Sequence, residues 1–254
     1  MKLERITAWL DRTLRVADFD DVSNNGLQID RATEQSNNPN SRTISTVAFA
    51  VDASVASVKR AAEAGAQLLV VHHGISWGGG IRRLAGGAYN VVKAAMDANL
   101  ALYACHLPLD AHPTLGNNAQ LTKLLGLRNV KPAFNYHGNV IGLVGSCSID
   151  RLFRLFDTLN VPPENRPIDQ SDQSKNLLVG LCSGGAGEFA EEAKRLGCDL
   201  YLTGEASWGD VIAAENVGMK MICAGHYETE VFGVRAVAAA LAKSLKLKTI
   251  DLTK

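Results

Sequence analysis

The chain contains the same alternation of strands and helices twice, and this internal repeat limits the folds that it can adopt. Short apolar runs typical of buried strands alternate with amphipathic helix patterns in both halves. The predicted strands are 44–51, 68–71, 100–104, 177–181, 200–202 and 220–224. The predicted helices between them are 54–64, 89–98, 188–196 and 211–216. This order predicts an α/β fold of duplicated three-layer α/β/α units with mixed sheets.

The repeat also predicts the domain organisation. We place the first α/β unit at 1–125 and the second at 126–254, with the C-terminal helix able to pack back on the first unit. Ahead of the repeat, residues 1–16 have the pattern of an amphipathic helix. Residues 20–28, which contain Asn25-Gly26, and the polar stretch 33–43 are predicted to be loops.

When one half is aligned on the other, residues with metal-binding chemistry fall on each other. The aligned pairs are Gly65 with Gly197, His73 with Glu205, His106 with His226, and Asp110 with Glu230. Both third strands therefore lead into the same pattern, a histidine followed four residues later by a carboxylate. Sites in α/β folds lie at the carboxyl ends of strands, which is where these residues occur.

The apolar run before Gly74 ends in two adjacent histidines, His72 and His73. Two readings of this pair are open from the residues alone. One histidine can be a buried or capping residue and the other a solvated one, or both can serve one ion site. The histidines and carboxylates elsewhere in the repeat favour the second reading.

We predict a metal site in the cleft between the two halves. Imidazole nitrogens and carboxylate oxygens suit zinc, manganese, iron(II), cobalt or nickel, and five ligands are too many for one structural zinc. The set suits two divalent ions per subunit that activate a water for hydrolysis, with Glu230 as the candidate bridge; the nucleophile is metal-bound water and no catalytic side chain is assigned. The predicted ligands are His72, His73, Asp110, His226 and Glu230.

Other residues are expected to lie around the ligands or in loops. His106 and Glu205 are expected to orient ligands or contact substrate, and His112 and His137 to lie in loops. The aromatic side chains of Trp77, Trp208 and Tyr227 can stack on a base, although packing is the more frequent role. The glycine runs at 78–80 and 184–187 can present N–H groups to phosphate, although simple turns are more common.

Composition excludes several classes of protein. Lysine plus arginine equals aspartate plus glutamate, 26 each, so there is no basic excess to favour nucleic acid, and a nucleic-acid partner is not expected. The sequence lacks a secretory signal pattern and an apolar run long enough to span a bilayer, so no membrane partner is expected. The five cysteines form no C-x-x-C pair and are expected to be reduced, buried thiols of a cytoplasmic protein.

Several motifs together closely resemble the YbgI / Nif-three-like family, whose bacterial members are described as GTP cyclohydrolase 1 type 2 homologues. The resemblance spans nearly the whole chain, from about Asp21 to the last helix. The motifs are Asn25-Gly26-Leu27-Gln28, Val70-Val71-His72-His73-Gly74, His106-Leu107-Pro108-Leu109-Asp110, Gly116-Asn117-Asn118, Thr203-Gly204-Glu205 and Gly225-His226-Tyr227-Glu228-Thr229-Glu230.

The resemblance implies a two-part α/β/α protein with a dinuclear metal centre, assembled as a toroidal homohexamer. The family's ligand positions fall on the same five residues, so no ligand position is lost. The implied activity is hydrolysis of a purine nucleotide such as GTP, with a role in handling damaged nucleotides. The alternative is a non-catalytic hexamer that binds or delivers metal, or a scaffold for a protein partner.

Overall fold

The computed structural model describes residues 1–31, 43–168 and 176–253. Most of the predicted polar loop at 33–43 lies outside the described residues. The chain divides into two compact units, Met1–Leu109 with Val234–Lys254, and Asp110–Gly233. The sequence prediction divides the chain after residue 125 instead. The C-terminal segment belongs to the first unit because its last strand pairs with a strand of that unit.

The first unit contains a five-stranded mixed sheet with helices on both faces. Its strands are β1 (Gly26–Ile29), β2 (Thr46–Asp52), β3 (Leu68–His73), β4 (Ala101–Ala104) and β10 (Lys248–Asp251). Its helices are α1 (Leu3–Leu14), α2 (Val55–Glu63), α3 (Gly86–Asp97) and the short α4 (Leu107–Asp110). The strand order is β1-β4-β3-β2-β10, with β1 antiparallel to β4 and the other neighbours parallel.

The alternation of side chains along the strands accounts for the layers of the first unit. Leu69 and Leu102 on one face belong to a buried cluster with side chains of α2 and α3. Tyr103 points to the other face, where its hydroxyl donates to Asp11 Oδ1 of α1 at 2.7 Å. Helix α1 buries one apolar stripe, as its sequence pattern predicts.

The second unit contains the other five-stranded mixed sheet. Its strands are β5 (Arg128–Tyr136), β6 (Asn139–Ser148), β7 (Asn176–Gly185), β8 (Leu200–Glu205) and β9 (Met221–Cys223), in that spatial order. Its helices are α5 (Asn117–Leu125), α6 (Ile149–Thr158), α7 (Ala190–Arg195), α8 (Trp208–Asn216) and α9 (His226–Leu245), whose C-terminal part belongs to the first unit. Strands β5, β6 and β7 are antiparallel, and β7, β8 and β9 are parallel.

The second unit also has a core on each face of its sheet. On one face, Val179 and Leu202 belong to a buried cluster with side chains of α5 and α6. On the other, the Tyr201 ring packs against Phe134, with ring centroids 5.3 Å apart. The predicted α/β class with two mixed sheets is confirmed by these two units.

The strand register corrects the alignment of the two halves by one residue. Cys105 N donates to Val71 O in the first unit, and Ala224 N donates to Thr203 O at the equivalent place in the second. His226, the first residue of α9, therefore corresponds to Leu107, the first residue of α4, and not to His106. The alignment by residue type was off by one because the two histidine–carboxylate motifs have equal spacing but begin one position apart relative to their strands.

The sequence analysis missed the β5–β6 hairpin, the strand β10 and the helices α4, α5 and α6. The hairpin turns at His137-Gly138, where both residues have positive φ (48° and 87°), as a two-residue turn of this kind requires. Residues 26–28, predicted as part of a loop, belong to β1 (Gly26–Ile29). Among the described residues, no helix is long and apolar enough to cross a bilayer.

Candidate metal centre

Three imidazoles lie together in the first unit. His72 and His73 end β3, and His106 follows the neighbouring parallel strand β4, so that all three occur at the same edge of the sheet. The His72 ring centroid lies 4.6 Å from that of His73 and 5.1 Å from that of His106. One ring nitrogen of each histidine lies within 4.8 Å of the others. This edge therefore collects three nitrogen donors.

The Nδ1 atom of each imidazole is bonded to an oxygen of the protein. His72 Nδ1 is 2.9 Å from the Cys105 carbonyl oxygen. His73 Nδ1 is 2.8 Å from Asp52 Oδ1, and His106 Nδ1 is 2.9 Å from Asp21 Oδ1. Because carbonyl and carboxylate oxygens only accept, Nδ1 carries the proton in each ring. The neutral ring then has its lone pair on Nε2, which is how histidines that bind metals are usually oriented.

Asp21 is held by its own set of donors. Its side chain is almost completely buried, and it accepts from Asn25 Nδ2 at 2.8 Å and from Leu107 N at 2.9 Å. Burial acts to raise the pKa of Asp21, but the hydrogen bonds from His106, Asn25 and Ser23 outweigh it and hold the pKa below its usual value. Asp21 therefore stays ionised and fixes the His106 ring.

The Asn25–Gln28 motif supports this edge from the neighbouring strand. Asn25 Oδ1 accepts from the His106 backbone N–H at 2.8 Å, and Gln28 Oε1 accepts from Ile75 N at 2.7 Å. A side chain at Gly74 would overlap the Gln28 amide. The motif therefore holds the backbone that carries the histidines.

The second unit gathers two carboxylates and one imidazole. Oxygen atoms of Asp110 and Glu230 lie within 4.8 Å of each other, and both residues are buried. His226 Nε2 lies 3.3 Å from Glu230 Oε1, one turn further along α9. This set combines hard oxygen donors with one nitrogen donor.

Polar neighbours orient this second set as well. Asn117 Nδ2 and Ser183 Oγ donate to Asp110 Oδ1 at 2.8 and 3.1 Å. His226 Nδ1 is 2.8 Å from Glu205 Oε2, which occupies the last position of β8 as His73 does in β3. Glu205 therefore orients the His226 ring through this hydrogen bond.

Two glycines allow Glu230 and α9 to approach β7 and β8 closely. Gly184 has φ +68°, and a Cβ there would overlap Glu230 Oε1. A Cβ at Gly204 would lie 2.6 Å from Thr229 Oγ1. The glycines at 184 and 185 lie in β7, so at least this part of the predicted turn is strand.

The His226 imidazole is strongly affected by its neighbours. The hydrogen bond with Glu230 is the largest effect, burial opposes it, and Glu205 adds to it; together they raise the pKa of His226 to about 9. Without a cation the pair of carboxylates therefore favours a proton on this ring. A divalent cation bound there has to replace that proton.

The remaining predicted residues have separate positions. His112 Nδ1 accepts from the backbone N–H groups of Thr114 and Leu115, so this ring caps its own loop. The Trp77 ring is partly exposed and contacts the His73 and His106 rings. Trp208 and Tyr227 are exposed in the first turns of α8 and α9. Four cysteines are buried as expected, but Cys223 is exposed.

Among the residues that orient the donors, the sequence analysis named Glu205 but missed four others. The missed residues are Asp21, Asp52, Asn117 and Ser183. Asp52 had a usable signal, since it ends the strand beside β3. The donor types fit a borderline divalent cation, because neutral imidazoles and buried carboxylates are offered together, and none of the clusters found among the described residues contains a cysteine. The convergence of the two sets on one pair of ions stays a prediction.

Comparison with known proteins identifies the family of this chain. The sequence profile of Duf34/NIF3 (NGG1p interacting factor 3) matches residues 1–253. The chain belongs to the Duf34/NIF3 family. Family relatives named "GTP cyclohydrolase 1 type 2 homolog" include a Pyrococcus horikoshii protein, 37% identical over 98% of this chain and 97% of its own. A Deinococcus radiodurans relative of that name is 39% identical over 94% of this chain and 88% of its own.

Solved structures of relatives share the fold. The protein ybgI, described as of unknown function, superposes with a TM-score of 0.83 at 29% identity and covers 99% of this chain and 98% of its own. A Thermus thermophilus protein superposes with a TM-score of 0.80 at 30% identity over the same shares of the two chains. The predicted resemblance to the YbgI / Nif-three-like family is confirmed.

Proposed function

We propose that the protein is a dinuclear metal-dependent hydrolase of the GTP cyclohydrolase 1 type 2 homologue kind, acting on a purine nucleotide such as GTP. The observation that carries the proposal is the pair of oriented donor sets, three imidazoles in one unit and two carboxylates with an imidazole in the other. Two divalent ions per subunit, drawn from zinc, manganese, iron, cobalt and nickel, would be held by His72, His73, Asp110, His226 and Glu230. The relatives' name supports the choice of substrate class.

The protein side chains have defined tasks in this proposal. When bound, paired divalent ions lower the pKa of water and stabilise negative charge on the reacting group. Asp52 and the Cys105 carbonyl hold the tautomer of His73 and His72, and Asn117 with Ser183 holds the Asp110 carboxylate. Glu230 has two oxygens in a buried position and is the candidate to bridge both ions.

The proposed reaction opens the imidazole ring of the purine. Water adds to the carbon between the two ring nitrogens, the bond from that carbon to one nitrogen breaks, and a second water releases formate. The test is to load the protein with each candidate metal, add GTP, and follow ring opening by absorbance and formate by an enzymatic assay. Metal-dependent formate release supports the proposal. Cleavage of another nucleotide, with GTP left intact by every metal form, contradicts it.

The second candidate function is metal binding without catalysis. The polar contacts described above for the two donor sets hold donor side chains in place, and none of these contacts identifies a group that binds a nucleotide. A protein that stores or delivers ions, or that serves as a scaffold for a protein partner, needs only the donors. A metal-loaded wild-type protein that transfers its ions to a chelating acceptor and turns over no member of a nucleotide panel supports this second function.

The assembly and location are also part of the proposal. We infer a homohexamer in the cytoplasm, as the resemblance to the family implies. Light scattering of the purified protein gives the molar mass directly. A mass six times that of the 27.1 kDa chain supports the hexamer, and a monomer or dimer mass contradicts it.

A further inference from the structure

The imidazole cluster of the first unit includes His106, which the predicted ligand set leaves out. The His106 ring centroid lies 5.1 Å from that of His72 and 5.6 Å from that of His73. A ring nitrogen of each of the three residues lies within 4.8 Å of the other two. All three belong to one compact unit.

His106 is oriented in the same way as the two predicted ligands beside it. Its Nδ1 donates a hydrogen bond to the buried carboxylate of Asp21, just as His73 Nδ1 donates to Asp52. The lone pair of the neutral ring is therefore on Nε2 in all three residues. A histidine whose only task is to hold another ligand would donate to that ligand, whereas His106 is itself held by a carboxylate.

Trp77 fixes the other side of the His106 ring. The two rings are 5.1 Å apart in a T-shaped contact, and Trp77 Nε1 donates to the Gly74 carbonyl at 3.0 Å. The His106 side chain keeps 18% of its surface accessible. The ring is thus restricted on two sides but still open to an ion from solvent.

We infer that His106 is a direct metal donor and that His72, His73 and His106 form a three-imidazole ion site within the first unit alone. The inference rests on the metal-binding part of the proposed function and not on nucleotide hydrolysis. Three neutral imidazoles without a carboxylate select zinc, cobalt, nickel or copper over magnesium or calcium. The second unit's carboxylates offer a harder environment, so the two sets differ in the ions that they prefer.

The observed spacing is compatible with one ion. Metal–imidazole bonds are about 2.0–2.1 Å long, which separates two nitrogens of a tetrahedral site by about 3.3 Å. The three nitrogens are already within 4.8 Å of one another before any ion is added. The spacing that one tetrahedral ion requires falls within this 4.8 Å limit.

The test removes the second unit's donors and asks whether the first unit still binds. In a His226→Asn/Glu230→Gln background we expect one Cu²⁺ or Co²⁺ per subunit, and electron spin-echo modulation of bound Cu²⁺ should count three imidazoles. Adding His106→Asn should reduce the count to two and weaken Co²⁺ binding by more than the about 10- to 100-fold that loss of an orienting partner causes. The matched control His137→Asn removes an imidazole from the exposed hairpin turn and should change neither value.

Two results in this series overturn the inference. One is a count of two imidazoles both with and without His106→Asn. The other is a folded background variant, checked by circular dichroism, that binds no ion. Anomalous diffraction from the Co²⁺-loaded wild-type protein is an independent measurement: an ion within bonding distance of a His106 nitrogen supports the inference, and an ion bound only to His72 or His73 contradicts it. Neither measurement depends on GTP turnover, so failure of the hydrolase proposal is recognised separately.

Discussion

Glu230 Oε1 lies 3.3 Å from His226 Nε2, one helical turn apart on α9, and both atoms lie beside Gly184. This contact joins a carboxylate and an imidazole of the second donor set. It raises the pKa of the imidazole when no cation is present, and it places both donors where a cation can bind them together. The first two predictions follow from it.

Glu230→Gln should remove metal from the protein. The amide keeps the shape but loses the negative charge that a divalent cation needs, so we expect the loss of at least one ion per subunit. Elemental analysis of the purified protein, with a count per subunit, measures this. Glu228→Gln changes an exposed carboxylate in the same turn of α9 and should retain the full metal content. Equal metal content in both variants would show that Glu230 is not a ligand.

The stability of the metal-free protein should depend on pH through His226. The folded pKa of about 9 is above the ordinary value of 6.5, so the protonated ring contributes stability that is complete below about pH 6.5 and is lost as pH rises through 9. The difference in unfolding free energy between wild type and His226→Gln should therefore shrink from pH 6 to pH 10. Urea unfolding in the presence of a chelator measures it. A difference that grows with pH contradicts the assignment.

Gly184→Ala should disturb the Glu230 carboxylate. Alanine at a positive φ lowers the free energy of unfolding by about 1–2 kcal/mol. Its methyl group would also overlap Glu230 Oε1. Gly65→Ala is the matched control, because Gly65 has φ +73° but no atom within 4 Å of the added Cβ. Both variants should be destabilised in thermal unfolding, but only Gly184→Ala should lose metal. Metal loss in both variants, or in neither, rules out a specific effect on Glu230.

Asp52→Asn should weaken metal binding without removing a ligand. The carboxylate fixes the ring of His73, and loss of such an orienting partner typically reduces metal affinity about 10- to 100-fold. Competition with a chromophoric chelator measures the affinity. Asp97→Asn removes an exposed carboxylate paired with Lys93 and should leave the affinity unchanged. An unchanged affinity in Asp52→Asn would mean that His73 binds no ion or needs no support.

The sequence predicted the repeated elements because each has its own local signal. The run at 68–71 is apolar and short enough for a buried strand, and it forms the greater part of β3. The helix at 54–64 contains a capping serine, Ser54, and forms α2. By contrast, β10 is a short run with no strong pattern. It becomes a strand because its backbone pairs with β2, a partner some 200 residues away in the sequence.

The sequence by itself determined the α/β class, the repeated strands and helices of the two units and the types of donor, since hydrophobic periodicity and residue chemistry are properties of short segments. The tertiary structure decided which polar groups hold those donors. Asp21 bonds to His106 across 85 positions of the chain, and Ser183 bonds to Asp110 across 73. Such pairs carry no local pattern, because a hydrogen bond depends on the distance between two atoms in the folded chain and not on their separation in sequence.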